Sequence, residues 1–398
     1  MPNKLRVLLS QARRHNLRAL SLAAVILAGV AMTGCASNQA SQPLGSASGV
    51  EPFAVQPHFS VKWRRGIDAP PHWSVKPREF STPLYRSETD EVYVGSDAGS
   101  LFKMRGGNGE VLWTASLDGA VHGSVVYGGG RVYVGTLGGK FYALNEATGE
   151  VEWELELDGS IESTAVYAEE RVFFTTSKDI LTAADAATGK QLWTYGRSTP
   201  EYFTIKGSGD PVVEDGVVYC GFGDGVLAAL QLDSGDMIWE SDLSGGKTEF
   251  VDVDGHVTVS GSRVYAASYD GGVYAIDKSD GTHIWKRPMS GVADLVYGER
   301  TLYVATASGR VTALEAEDGS PAWSYKFEDE APVAITATQL YLFISTAQGP
   351  LYTLDRLTGF PFMTWNPSNG FNTPMVLSKN GGFAYSNRGF LYHLDIAF

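Results

Sequence analysis

Seven histidines, two cysteines and one pair of closely spaced aspartates are the residues of this chain best suited to bind metal, attack a carbonyl or move a proton. Their spacing argues against all three. The histidines stand at 15, 58, 72, 122, 256, 283 and 393 with no pair at metal-ligand spacing, and no HExxH, CxxC or GxSxG occurs. Gly245-Gly246-Lys247-Thr248 has the ending of a phosphate-binding loop, but position 241 is serine where the first glycine belongs. Asp252-Val253-Asp254-Gly255 places two carboxylates before its glycine, where an EF-hand loop needs three oxygen positions. That leaves recognition. Residues two apart on an extended segment face one side, so Asp252 and Asp254 are expected to present paired carboxylates able to engage a partner's arginine. The alternative is a solvated acidic loop. Phe203 and Ile205 alternate likewise, with Lys206 beside them. They read either as a small exposed hot spot or as plugs between structural units. No catalytic, cofactor-binding or metal-binding residue is assigned, and no enzymatic activity is expected.

Cys35 is the residue with the clearest chemistry. A basic stretch ending at Arg18 is followed by an apolar run from Ala19 to Met32, then Met32-Thr33-Gly34-Cys35. About fourteen apolar residues are too few for a comfortable membrane span and suit the h-region of a secretory signal. The ending resembles the bacterial lipobox, in which small residues precede a cysteine that is acylated and becomes the first residue after cleavage. Residues 1–34 are therefore expected to be a signal peptide and Cys35 the lipidated residue, carrying palmitate among its acyl chains. Ala36 rather than aspartate follows it, which implies delivery to the outer membrane. Residues 36–57, rich in Ser, Gly, Ala, Gln and Pro, are expected to form a flexible tether. Cys220 lies in a Val-Val-Tyr-Cys run and reads as a small buried apolar residue.

Charge narrows the partners. Setting aside the five bases of the first 34 residues leaves 26 Lys and Arg against 45 Asp and Glu, a net −19. A body this acidic is repelled by phosphates and gains nothing from anionic headgroups, so neither nucleic acid nor a lipid surface is an expected partner. Membrane attachment would run through the lipid alone.

The elements that must position these residues are set by a repeat. Trp113, Trp153, Trp193, Trp239, Trp285 and Trp323 each follow a glycine by four residues, at steps of 40, 40, 46, 46 and 38. Between them, runs such as Val132-Tyr133-Val134 and Phe141-Tyr142-Ala143-Leu144 alternate with glycine turns. A period near forty with about four strands per unit indicates a propeller. Tyrosine-type runs, read as inner strands, recur at Tyr93, Tyr133, Phe173, Tyr219, Tyr265, Tyr303, Leu342 and Tyr385, which makes eight. The tryptophan register gives seven when Met363 is included, and Ser60-Val61-Lys62-Trp63 supplies the eighth from the other end of the chain. The expected fold is all-β: an eight-bladed propeller over 58–398, four antiparallel strands per blade, with an N-terminal strand closing the C-terminal blade. Two consecutive steps of 46 put extra residues into adjacent inter-blade connections, within 196–211 and 242–257. Loops stretched at one rim of a repeat scaffold are where binding concentrates.

Asp185-Ala186-Ala187-Thr188-Gly189-Lys190-Gln191-Leu192-Trp193 resembles the quinoprotein-type propeller repeat, shared by PQQ-dependent dehydrogenases and non-catalytic relatives. With the lipobox, the short blades and the two stretched loops, residues 58–398 are most similar to the BamB family of outer-membrane lipoproteins of the β-barrel assembly machinery. That resemblance implies a non-catalytic scaffold without cofactor, docking on the periplasmic domains of BamA and aiding barrel insertion, with unfolded precursors as further partners. The positions it implies for the contact are Phe203, Ile205, Lys206, Asp252 and Asp254. Lysine at 206 replaces the family's arginine and loses bidentate pairing. Two alternatives share the fold: a propeller serving another envelope partner, and a PQQ-dependent dehydrogenase. The dehydrogenase is disfavoured by the lack of a vicinal Cys-Cys pair and of large insertions.

Overall fold

A computed structural model describes residues 42–43, 58–68, 79–197, 209–367 and 369–397. Cys35, residues 1–34 and the 198–208 stretch with Phe203, Ile205 and Lys206 lie outside these. The described residues form eight antiparallel sheets and no helix, so none of them belongs to a helix long and apolar enough to cross a membrane. Each sheet is one blade, here labelled I to VIII, with strands a to d in chain order. Blades I to VII span 84–116, 126–156, 166–196, 212–242, 258–287, 292–326 and 332–365. Blade VIII takes strands a to c from 376–397 and strand d from His58–Gly66.

Blade II shows why the sequence folds this way. Strand a (Val126–Gly128) pairs with b (Arg131–Gly135), b with c (Lys140–Asn145), and c with d (Val151–Glu156). Strands b and c are buried almost throughout, which matches their continuous apolar runs. Strand d alternates between exposed and half-buried, as an outer edge should. The a strands contact their counterparts in most neighbouring blades and so ring the axis. The tyrosine-type runs expected to be the inner strands are therefore the second strands. Six of the eight innermost strands are only three residues long, Val126–Gly128 among them, too short for a period-2 pattern to register.

The molecule has no single central core. Apolar side chains collect in eight clusters, each between the faces of neighbouring blades. One unites Tyr133, Phe141 and Ala143 of blade II with Val172, Phe174 and Ala184 of blade III, where the Phe141 and Phe174 rings stack at 3.9 Å. Burying a phenylalanine fully stabilises by about 1.5–3 kcal/mol.

The recurrent tryptophans fasten these interfaces. Trp153 Nε1 donates to the Ala186 carbonyl of blade III at 3.1 Å, and its ring lies over Gly189 in that blade's c–d turn. Gly189 has φ +73°, and a β-carbon there would lie 2.7 Å from the indole. Glycine is thus required twice, for the left-handed turn and for the ring above it. The same bond and contact recur from Trp63, Trp113, Trp193, Trp239, Trp285 and Trp323 to the following blade. At the eighth interface buried Met363 stands in the tryptophan position, beside a cluster of Phe59, Trp365, Phe371 and Tyr392.

Ring closure is as expected. His58–Gly66 pairs with Phe390–Ala397 from His58 opposite Ala397 to Gly66 opposite Phe390, and Trp63 Nε1 then bonds the Gly106 carbonyl of blade I at 2.8 Å. One feature was not expected. Gln42–Pro43 forms a short fifth strand on blade VII, Gln42 opposite Thr364 and Pro43 opposite Met363.

Candidate partner-binding rim

The b–c turns and the d-to-a connections share one rim. Leu117, Leu157, Leu243 and Phe327, each the residue after a d strand, donate their backbone N–H to Gly99, Gly139, Gly225 and Gly309 in the b–c turn of the same blade. On this rim the connections 197–211 and 243–257 run fifteen residues, against nine for 117–125 and 157–165. Both converge on the b–c turn of blade IV.

The first connection leaves blade III through Arg197. Four equivalent positions are leucine or phenylalanine, so an arginine here was a legible signal that the sequence reading passed over. Arg197 Nε bonds Asp224 Oδ2 in the blade IV turn at 2.6 Å, while Nη1 bonds Glu240 and, at 3.2 Å, Tyr195 Oη. Burial opposes the charge, but the hydrogen bonds to Asp224 and Tyr195 outweigh it and hold the guanidinium above its ordinary range. At the far end Gly209 N–H donates to the Gly221 carbonyl, and Asp210 Oδ1 accepts at 2.7 Å from the N–H of Thr164, in the connection that enters blade III. Both ends of the 198–208 stretch are therefore fixed to strands.

The second connection is clamped along its length. Val253 N–H donates to Phe222 O at 3.1 Å, Tyr269 N–H donates to Asp252 O at 2.9 Å, and Ser268 Oγ donates to Val251 O at 2.7 Å. Phe250 adopts φ +54°, rare for a bulky residue, with its carbonyl accepting from Asp270 N–H. This clamping draws Val251, Asp252 and Val253 all into the crevice between blades IV and V. Asp252 is 0 % exposed and Asp254 half-buried. The simple alternation that would turn both carboxylates outward together does not operate, because the segment packs in a crevice instead of lying free. Past Asp254, exposed His256 pairs through Nδ1 with buried Asp294 Oδ1 at 2.8 Å; Asp294 also accepts from Leu295 and Ile335 N–H.

The two connections meet. A β-carbon on Gly209 would lie 2.7 Å from Val253 O, and one on Gly221 would lie 2.1 Å from it, so only glycine admits this approach. The structure thus brings the segment bearing Asp252 and Asp254 against the base of the stretch bearing Phe203, Ile205 and Lys206. It joins Arg197, Asp224 and His256 to the same rim.

Among the described residues no three His, Cys, Asp or Glu side chains gather as a metal site, and Asp294 already takes three donors. A cavity of about 610 Å³ is lined by Pro83–Glu88, Ser124–Tyr127 and Thr164. Its one cation, Arg86, lies over the Tyr127 ring at 3.6 Å and pairs with Glu146 at 3.2 Å.

The model of the PQQ_2 family, described as outer membrane protein assembly factor BamB, matches residues 97–325 and 270–386. Among solved structures, BamB from Moraxella catarrhalis superposes with TM-score 0.74 at 20% identity, covering 85% of this chain and 99% of that one. The quinohemoprotein alcohol dehydrogenase ADHIIG from Pseudomonas putida HK5 superposes with TM-score 0.71 at 12% identity, covering 85% and 76%. Sqt1 from Saccharomyces cerevisiae does so with TM-score 0.70 at 11% identity, covering 81% and 96%. At these identities the likenesses speak for the fold alone. No curated protein matches by sequence.

Proposed function

This chain belongs to the PQQ-repeat family described as outer membrane protein assembly factor BamB, and from that premise we propose that it is a non-catalytic lipoprotein scaffold of the β-barrel assembly machinery. In this reading Cys35 carries the lipid, the propeller faces the periplasm from the outer membrane, and the rim over blades III to V docks on the periplasmic domains of BamA. The docking helps barrel proteins fold and insert, and unfolded precursors are a second class of client. The observation that carries the reading is the pair of fifteen-residue connections touching at Gly209 and Val253 on a ring of otherwise short blades.

In this reading half-buried Asp254 meets a partner's cation, and buried Asp252 acts through the loop it belongs to. Phe203, Ile205 and Lys206 are assigned the apolar and cationic part of the contact. The acidic body favours a basic partner face and speeds its encounter at low salt.

Isolation of the native envelope complex through a tag on this chain tests the proposal. BamA is expected to co-purify from wild type and to be lost or reduced with Asp254→Arg or Phe203→Asp. Absence of BamA from the wild-type preparation overturns the reading. Cys35→Ser should release the protein from membranes; persistent attachment would remove the lipoprotein assignment. Incubation with PQQ and calcium is expected to give no dye reduction, and turnover would favour the dehydrogenase reading.

A further inference from the structure

The outer edges of the eight blades are not alike. Residues 357–378, covering the outer strand of blade VII and both its flanks, contain no Asp, Glu, Lys, Arg or His. Every other outer strand has a charged residue within it or immediately beside it, as in Val151–Glu156 and Met237–Asp242. Charges on edge strands discourage further pairing. Blade VII lacks that protection: its d strand, Pro361–Trp365, is uncharged throughout, with Phe362 and Thr364 half-buried and Met363 and Trp365 turned into the core.

This is also the one edge that carries a fifth strand among the described residues, antiparallel, with Gln42 opposite Thr364 and Pro43 opposite Met363. Chain direction agrees with that pairing. From Gln42 to Pro43 the strand runs in the direction of Phe362 and Phe360, toward the rim of the c–d turns. His58, where the outer strand of blade VIII begins, stands opposite Ala397 at that same rim. Residues 44–57 can span about 50 Å when extended, ample between adjacent blades. A proline is well tolerated on an edge strand and helps to end the ladder there.

We propose that the outer edge of blade VII is a dedicated strand-docking site whose occupant is the chain's own N-terminal segment around Gln42–Pro43. The uncharged edge selects this blade over the other seven. Under the lipoprotein reading above, on which only this consequence rests, docking shortens the free tether from residues 36–57 to 36–41. Its reach falls from about 75 Å to about 20 Å, so the propeller is held close to its anchor instead of ranging freely.

The test is a cysteine pair, Gln42→Cys with Thr364→Cys, in the full chain carrying Cys35→Ser. The control pairs Gln42→Cys with Thr194→Cys, the equivalent outer-strand position of blade III. Mild oxidation should give an intramolecular disulfide at about tenfold higher yield for 42–364 than for 42–194, because the bond forms only with Cα atoms about 4.4–6.8 Å apart. Equal yields, or no disulfide at 42–364, overturn the proposal. So does a disulfide-linked dimer, which would make a second copy the occupant. The readout uses purified protein, so its failure is separable from any failure of BamA to co-purify.

Discussion

At the scale of single residues, the glycine under each tryptophan is the most exacting position. Gly189→Ala places a β-carbon at a left-handed φ and inside the indole of Trp153. We expect it to destabilise by about 1–3 kcal/mol, and Trp153→Ala by about 3–5 kcal/mol, both read from urea unfolding. Because the two residues share one contact, the double substitution should cost less than the sum; strict additivity would show that the ring does not rest on that turn. The tryptophan register is plain in the sequence, each ring four residues after a glycine of its own repeat. Its true partner is the glycine of the next repeat, a pairing that only the ring geometry reveals.

A second residue-scale expectation concerns His393, stacked on Phe383 at 4.5 Å and set against Trp63 at the ring closure. Burial, with Lys62 nearby, lowers its pKa, while Asp90 and Asp395 act the other way. Burial likewise lowers that of His283. Each is held neutral in the folded state but protonates near 6.5 when unfolded. Their contribution to stability is therefore present above about pH 6.5 and lost as pH falls below it. The urea midpoint should drop between pH 7.5 and 5 in wild type, and drop less in His393→Phe. Parallel pH profiles for the two proteins would refute this account.

Among elements, the interface between blades I and II departs from its neighbours. Buried Lys103 pairs with Glu91 at 2.9 Å and with Glu146 at 2.5 Å, and Tyr93 Oη donates to the same Glu146 at 2.7 Å. Between blades II and III the two corresponding positions are Ala143 and Ala186, and between V and VI they are Ala275 and Ala316. Removing one partner of a buried pair costs about 3–5 kcal/mol, whereas removing both is often close to neutral. Lys103→Ala should thus be markedly less stable than wild type, and Lys103→Ala with Glu146→Ala should recover much of the loss. Thermal unfolding of the three proteins decides it, and a double variant no better than the single would show the lysine to be needed in its own right. The lysine was visible in the sequence as an odd member of an alanine column, but its carboxylate partners were not, because they come from another strand and another blade. The same limit applied at the rim. The period slip from 40 to 46 located the two long connections correctly. Whether Asp252 turns in or out depends on backbone bonds to Phe222 and Tyr269, which no local pattern encodes.

For the whole molecule, blade number and closure were legible because one aromatic position repeats and because the last repeat lacks its outer strand. Most of the innermost strands and the fifth strand of blade VII were not legible, being three residues and two residues long. Closure through His58–Gly66 makes a sharp expectation for truncation. A chain beginning at residue 56 should retain a cooperative thermal transition. One beginning at residue 68 leaves blade VIII with three strands, strips Trp63 and Arg65 from blade I, and should lose the transition or become protease-sensitive. Equal protease resistance in the two chains would mean that closure contributes little.

The same closure sets an order of events in time. The strand that completes blade VIII lies more than three hundred residues ahead of its partner, so it is synthesised first and finds its place last. Until residues 390–397 follow, blades I and VIII each lack a neighbour, and a half-made ring keeps open edges of the kind that recruit other chains. Pairing across so long a separation is slow. Until the ring closes, the newly made chain is itself exposed to the stray strand pairing that closure later prevents.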